Sequence, residues 1–240
     1  MSDERQNELL AALSPSNYAL LRPHLTRINL EQHAVLQESG RPIENIYFPL
    51  DGMVSLVAIF PTGEEVEIAA VGREGAVGTK VGLLPQLAFA TAIVQLPGTA
   101  LRMSLAKFQE IAIGNIAITH IATCANDVMT ANLQQAAACN AVHQAEPRLA
   151  RWLLHAHRRS QSDVMPLTQE FIAQMLGVRR TTVSMIARTL EARGLIKYTR
   201  GKIQIVDLDG LLKLACNCYL IVEKNIDAVA ETARLAKNAD

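Results

Sequence analysis

At Ser104 the texture of this 240-residue chain changes abruptly, and that change restricts the folds open to it. Between residues 25 and 103, short runs rich in Val and Ile alternate with Gly and Pro. HAVLQ, NIYF, MVSLVAIF, EVEIAAV, TAIVQL and TALRM read as strands. Breaks at Ser39-Gly40, Asp51-Gly52, Pro61-Thr62-Gly63 and Pro97-Gly98 suit hairpin turns. From Ser104 onward Ala, Ile, Leu, Gln and Asn dominate, and no proline occurs until Pro147. Strands followed by helices predict an α+β chain: an antiparallel β-roll over 1–113, a long helix over 114–145 and a helical domain over 146–240. A short helix is also expected from Glu4 to Leu13, ahead of Ser14-Pro15.

The stretch Ile116 to His143 can form one helix of about 28 residues, roughly 40 Å long. Ile118, Ile121, Ala125 and Val128 recur at spacings of three and four. Met129, Leu133 and Ala136 make a second, shifted stripe. A long helix joining two domains needs a cover for its stripe, and a parallel copy of itself is a ready one. Ile118, Ile121, Ala125 and Val128 are therefore the expected dimer contact, with packing inside the chain as the competing reading.

Beyond Pro147, PRLARWLLHAHRR is amphipathic, with Leu149, Trp152, Leu153 and Ala156 expected inward and the arginines outward. In LTQEFIAQMLGVRRTTVSMIARTL, Thr168 suits an N-cap, and Phe171, Ile172 and Met175 form the stripe of a short helix. Gly177 falls where two helices need a residue able to take positive φ. In the second helix Val183, Ile186, Ala187 and Leu190 occupy one face. Subtracting them leaves Arg180, Thr181, Ser184, Met185 and Arg188 on the other, with Arg179 at the helix start. LIKYTRGKIQIVD then reads as strand, Arg200-Gly201 turn and strand, which completes a winged helix-turn-helix.

Charge points to the same segment. Residues 1–145 carry net −5, residues 146–205 net +7 and residues 206–240 net −2, although the whole chain is neutral. A basic block in an acidic chain favours a polyanion. A helix in the major groove can place Arg180 and Met185 at base edges and Thr181, Thr182 and Ser184 at bases or phosphates, while Arg188, Lys197, Arg200 and Lys202 suit phosphates; Thr168 and Arg179 complete the expected DNA-binding set. A winged helix used for protein contacts, in a ligand-sensing or scaffold protein, is the alternative.

This order of parts, and above all LTQEFIAQMLGVRRTTVSMIARTLEARGLI with the preceding RLARWLL, resembles the Crp/Fnr family of bacterial transcription regulators. The resemblance implies a cyclic-nucleotide-binding-like sensor roll, a homodimer joined through the long helix, an inverted-repeat site in double-stranded DNA and contacts with RNA polymerase. Members that bind cyclic AMP use a Gly-Glu pair for the ribose and an Arg-Ser or Arg-Thr pair for the phosphate. Here the best matches are Gly78-Thr79 and Ala90-Thr91, and both the acid and the arginine are missing. An alternative alignment moves the acid to Glu74. Burying a phosphate without a guanidinium is costly, which argues against cyclic AMP and leaves an unknown small-molecule effector, or none. In the recognition helix Arg180 keeps the family's first arginine, whereas Thr181 and Met185 replace its glutamate and second arginine.

Other chemistry finds little support in the sequence. No nucleophile–base pair, phosphate loop or His/Glu metal spacing marks an enzyme. No cofactor or metal is expected. The iron-sulfur members of the resembled family place cysteines near the N-terminus, whereas the first cysteine here is Cys124, and Cys216-Asn217-Cys218 on one helix would point its thiols to different sides. Glu64, Glu65 and Glu67 read as exposed hairpin residues. With no long apolar run and a charged start, a cytoplasmic protein without membrane contact is expected.

Overall fold

The computed structural model describes residues 6–80 and 86–235. The expected helix start at Glu4 lies outside them. Two short helices, α1 (Glu8–Ala11) and α2 (Pro15–Leu21), are capped by Asn7 and Ser14, whose side chains accept from the backbone amides of Leu10 and Asn17. A 3-10 turn, Arg22–His24, leads into the strands.

The roll is built from β1 (Thr26–Leu30), β2 (Val35–Gln37), β3 (Asn45–Pro49), β4 (Met53–Ile59), β5 (Glu65–Val71), β6 (Thr91–Leu96) and β7 (Gly98–Ser104). They form two antiparallel sheets, ordered β1-β7-β3 and β2-β6-β4-β5. Leu30, Tyr47, Val54, Val71, Val94 and Ala100 meet between them as alternate strand residues turned inward.

The helical half begins with α3 (Leu105–Ile113), capped by Ser104, and the 27-residue α4 (Ile116–Val142), capped by Asn115. Both stripes of α4 are used inside the chain. Ile118, Ile121 and Ala125 are buried with Leu9, Leu10 and Phe108, and Val128 packs on Val222 and Ile226. Met129 packs on the roll. In the single chain the stripe of Ile118, Ile121, Ala125 and Val128, expected to face a second copy, is covered by α1, α3 and the C-terminal helix.

The C-terminal half comprises α5 (Ala145–Ser160), β8 (Val164–Met165), α6 (Gln169–Leu176), α7 (Arg180–Ala192), β9 (Ile196–Thr199), β10 (Lys202–Ile205), α8 (Leu208–Leu214) and α9 (Cys218–Leu235). The wing sheet runs β8-β10-β9. α9 lies along α4, away from the wing. Trp152, Met175 and Leu176 share a core with Met53, Val57 and Leu96, so the winged helix is docked on the roll.

Among the described residues, no helix is long and apolar enough to cross a membrane.

Candidate functional site

The α6–α7 unit follows from local rules. Thr168 caps α6, its hydroxyl accepting from the Phe171 amide at 3.1 Å. Gly177 ends the helix at φ +62, ψ 41, where a side chain would be strained, and its amide and that of Val178 bond back to the last turn. Arg179 is the N-cap of α7 without a side-chain cap bond. Val183, Ile186, Ala187 and Leu190 are buried.

The opposite face of α7 is open. Arg179, Thr181 and Arg188 are exposed, Met185 is 64% exposed, and Thr182 and Ser184 are half-buried. The Arg180 side chain is 67% exposed, its Nε 3.7 Å from a Glu170 carboxylate that is itself exposed. Such a pair is worth little in water. Ser184 Oγ lies 2.5 Å from Gln169 Oε1 and 3.1 Å from the Arg180 carbonyl, so its hydroxyl already has protein partners. A cleft lined by Thr168, Gln169, Arg180, Tyr198 and Arg200 joins the start of α7 to the wing, whose Lys197, Arg200 and Lys202 are exposed.

The arginines of α5 behave otherwise. Arg148 is buried and donates to the Leu176 carbonyl at 2.6 Å, closing the end of α6. Arg159 is buried against the roll, with Nε and a terminal nitrogen each 2.8 Å from Glu74. Burial alone would raise the Glu74 carboxyl, but the Arg159 charge and hydrogen bonds to the carboxylate, including one from the Gly72 amide, outweigh it and hold it below the usual range. The expectation that the α5 arginines all point outward is corrected here: the roll covers that side of the helix. Glu74, committed to Arg159, also lacks a free face for a ribose.

Glu67 is another correction. It turns inward, accepting from Ser55 Oγ and, at 2.9 Å, from Trp152 Nε1, and burial pushes its carboxyl up. Only Glu64 and Glu65 of the expected acidic hairpin face the cleft beside Arg179 and Arg180.

In the roll, Gly78, Thr79 and Ala90 line a pocket of ≈ 170 Å³ together with Leu56, Met129 and Leu133. Gly78 has φ +83, and a Cβ there would stand 2.5 Å from the Asn45 carbonyl oxygen, so only glycine fits. Thr91 lies beside the pocket, its hydroxyl accepting from the Ser39 amide at 3.3 Å. Among the described residues the lining holds no arginine and no carboxylate. Its one cation, Lys80, donates to the Leu87 carbonyl and sits 3.9 Å from the Phe89 ring centroid.

One cluster escaped the sequence reading. Cys139 and His143, at the end of α4, come together with Cys216 and Cys218. The Cys-x-Cys segment is not helical throughout: Ala215 is extended at ψ 146 and α9 starts only at Cys218, which lets both sulfurs face α4. The signal available was Cys139-x-x-x-His143, four apart and hence on one helix face.

The Crp-like helix-turn-helix domain matches residues 147–214, and the cyclic nucleotide-binding domain matches residues 27–115. Among solved structures, FixK2 from Bradyrhizobium japonicum is 17% identical, covering 80% of this chain and 98% of its own, with TM-score 0.68. TTHB099, a CRP-family transcriptional regulator from Thermus thermophilus, is 18% identical, covering 78% and 96%, with TM-score 0.66. The c-di-GMP responsive global regulator CLP of Xanthomonas campestris is 14% identical, covering 80% and 99%, with TM-score 0.64. These likenesses establish the fold. No curated protein sequence matches significantly. Carrying a cyclic nucleotide-binding domain followed by a Crp-like helix-turn-helix, the chain belongs to the Crp/Fnr family of transcriptional regulators.

Proposed function

We propose that the protein is a homodimeric, sequence-specific DNA-binding regulator whose roll does not take cyclic AMP. The observation that carries this is the face of α7: Arg179, Arg180, Thr181, Met185 and Arg188 open to solvent, while the opposite face is buried. In a major groove, Arg180 reads a guanine through O6 and N7, and Thr181 and Met185 meet a base edge or a thymine methyl. Arg188, Arg200 and Lys202 sit where backbone phosphates pass, and Thr168 adds a hydroxyl there. Thr182 and Ser184 reach the duplex only by exchanging the partners they have.

Two copies would set their recognition helices about 34 Å apart, one duplex turn, so the site is an inverted repeat. With the apolar stripe of α4 covered, the second copy meets its remaining open face, where Thr123, Asn126, Thr130 and Gln134 are exposed, or α9 shifts to free the stripe. Membership of the family supports contact with RNA polymerase as part of this reading. The roll pocket, without arginine or carboxylate among the described residues, suits an uncharged or weakly charged effector, and its Met129 and Leu133 lining couples it directly to α4. A ligand there biases the angle between α4 and the winged helix, and so the population able to engage both half-sites.

The test is selection of bound sequences from a random duplex pool by the purified protein, at near-physiological salt, with and without cyclic AMP. Recovery of one inverted repeat, unchanged by cyclic AMP, supports the reading. Recovery that requires cyclic AMP contradicts the pocket assignment, and a folded dimer that enriches nothing without an effector leaves the winged helix to protein contacts if candidate effectors also fail.

A further inference from the structure

Four side chains that DNA recognition leaves unused converge where the long helix meets the C-terminal domain. Cys139 and His143 stand one turn apart at the end of α4, and Cys216 and Cys218 come from the break between α8 and α9. Cys139 Sγ is 3.6 Å from Cys216 Sγ, and Cys218 Sγ is 3.5 Å from His143 Nδ1. All four ligand atoms lie within 4.8 Å of one another; the three cysteines are buried and His143 is half-buried.

We propose that Cys139, His143, Cys216 and Cys218 form a Cys3His site for one zinc ion. A tetrahedron with bonds of about 2.3 Å to sulfur and 2.0–2.1 Å to nitrogen has edges of about 3.4–3.8 Å. Two of the separations already have that length, and the others close by small side-chain rotations. The donors are three sulfurs and one imidazole with no oxygen among them, which selects zinc over magnesium or calcium. With four protein ligands the site is closed, as structural zinc sites are, and leaves no position for a substrate.

The surroundings fit the charge. Three thiolates and a neutral imidazole around Zn²⁺ carry net −1, and the thiol protons leave to solvent on binding. The Arg151 and Arg148 guanidiniums of α5 interact electrostatically with the Cys139 and Cys216 sulfurs, and the Nε of each has no hydrogen-bond partner. Gln135 Nε2 donates to Cys218 Sγ at 2.9 Å, the kind of outer contact that fixes a ligand.

Position gives the site its consequence. His143 is the C-cap of α4 and α5 begins at Ala145, so the ion ties the end of the long helix to the α8–α9 junction across the connection that sets the winged helix. Loss of zinc frees both that connection and the docking of α9 on α4.

The test uses the full-length protein. Metal content is measured by mass spectrometry after purification, and chelator-treated protein, its fold checked by circular dichroism, is titrated with Co²⁺. About one zinc per chain, an intense sulfur-to-cobalt charge-transfer band and displacement of that band by one equivalent of zinc are expected. Cys216→Ser and His143→Ala lose the metal at least tenfold, whereas Cys124→Ser, at a buried cysteine outside the cluster, retains it. Folded wild-type protein that holds no metal and gives no charge-transfer band overturns the proposal. So does an iron-sulfur chromophore, or a Cys139–Cys216 disulfide in protein kept under reducing conditions.

Discussion

Two sets of arginines in the C-terminal half contribute to the same basic block yet meet opposite surroundings. On α5, Arg148 and Arg159 are buried, one capping the end of α6 and the other paired with Glu74 of the roll. On α7 and the wing, Arg179, Arg180, Arg188 and Arg200 reach solvent. Net charge therefore overstates the surface offered to DNA, because part of it holds the winged helix against the sensor roll. Substitutions in each set separate the two roles.

The largest effect is expected at Arg159. Arg159→Ala leaves Glu74 charged and unpaired in a buried site, which costs about 3–5 kcal/mol of stability. Chemical denaturation should show that loss, while operator sequence preference stays as in the parent. A change in base preference would instead place Arg159 at the DNA.

Acid should loosen the same inner surface. His155 is buried with its Nδ1 3.3 Å from Glu223, its ring 4.8 Å from that of Tyr219, and Arg159 and Arg151 nearby; burial outweighs the carboxylate and pushes its pKa down to about 4. The unfolded chain takes up this proton near pH 6.5 and the folded chain only near 4, so stability is full above 6.5 and falls as pH drops through that window. The loss from this group approaches about 3 kcal/mol. Denaturation midpoints at pH 7 and 4.5 should differ strongly in the parent and much less in His155→Gln; equal differences would contradict the assignment.

On the outer surface, changes should leave stability alone and alter binding. Arg180→Ala is expected to cost about 1–3 kcal/mol on the operator and to relax preference at one base pair. Lys202→Ala, at the wing, is expected to have the smallest effect: a uniform weakening on every sequence, with the salt dependence of binding reduced by about one counterion. Binding isotherms across a salt series check both.

Much of this was legible in the sequence because it is local. Val- and Ile-rich runs of five to seven residues between Gly and Pro breaks mark β3 to β7, and the stripe of Val183, Ile186, Ala187 and Leu190 fixes the outer face of α7 by subtraction. β1, TRINL, and the two-residue β8 lack such a signal and exist through their partners β7 and β10. The covering of α4 was not legible either: periodicity shows that Ile121 and Val128 need a partner, but Leu9 and Val222 lie far away in sequence. The inward turn of Glu67 and Arg159 depends on how two domains meet, as does the convergence of Cys139 with Cys216, 77 positions apart. Periodicity reports the face of an element and not what lies against it.

In the proposed mode of binding, the open face of α7 reads bases while the arginines behind it hold the fold. The most direct test is a base-substitution profile of Arg180→Ala on an operator selected by the parent protein, measured beside the parent. Discrimination is expected to collapse at one guanine in each half-site and to persist elsewhere. An unchanged profile, with unchanged affinity, would contradict it.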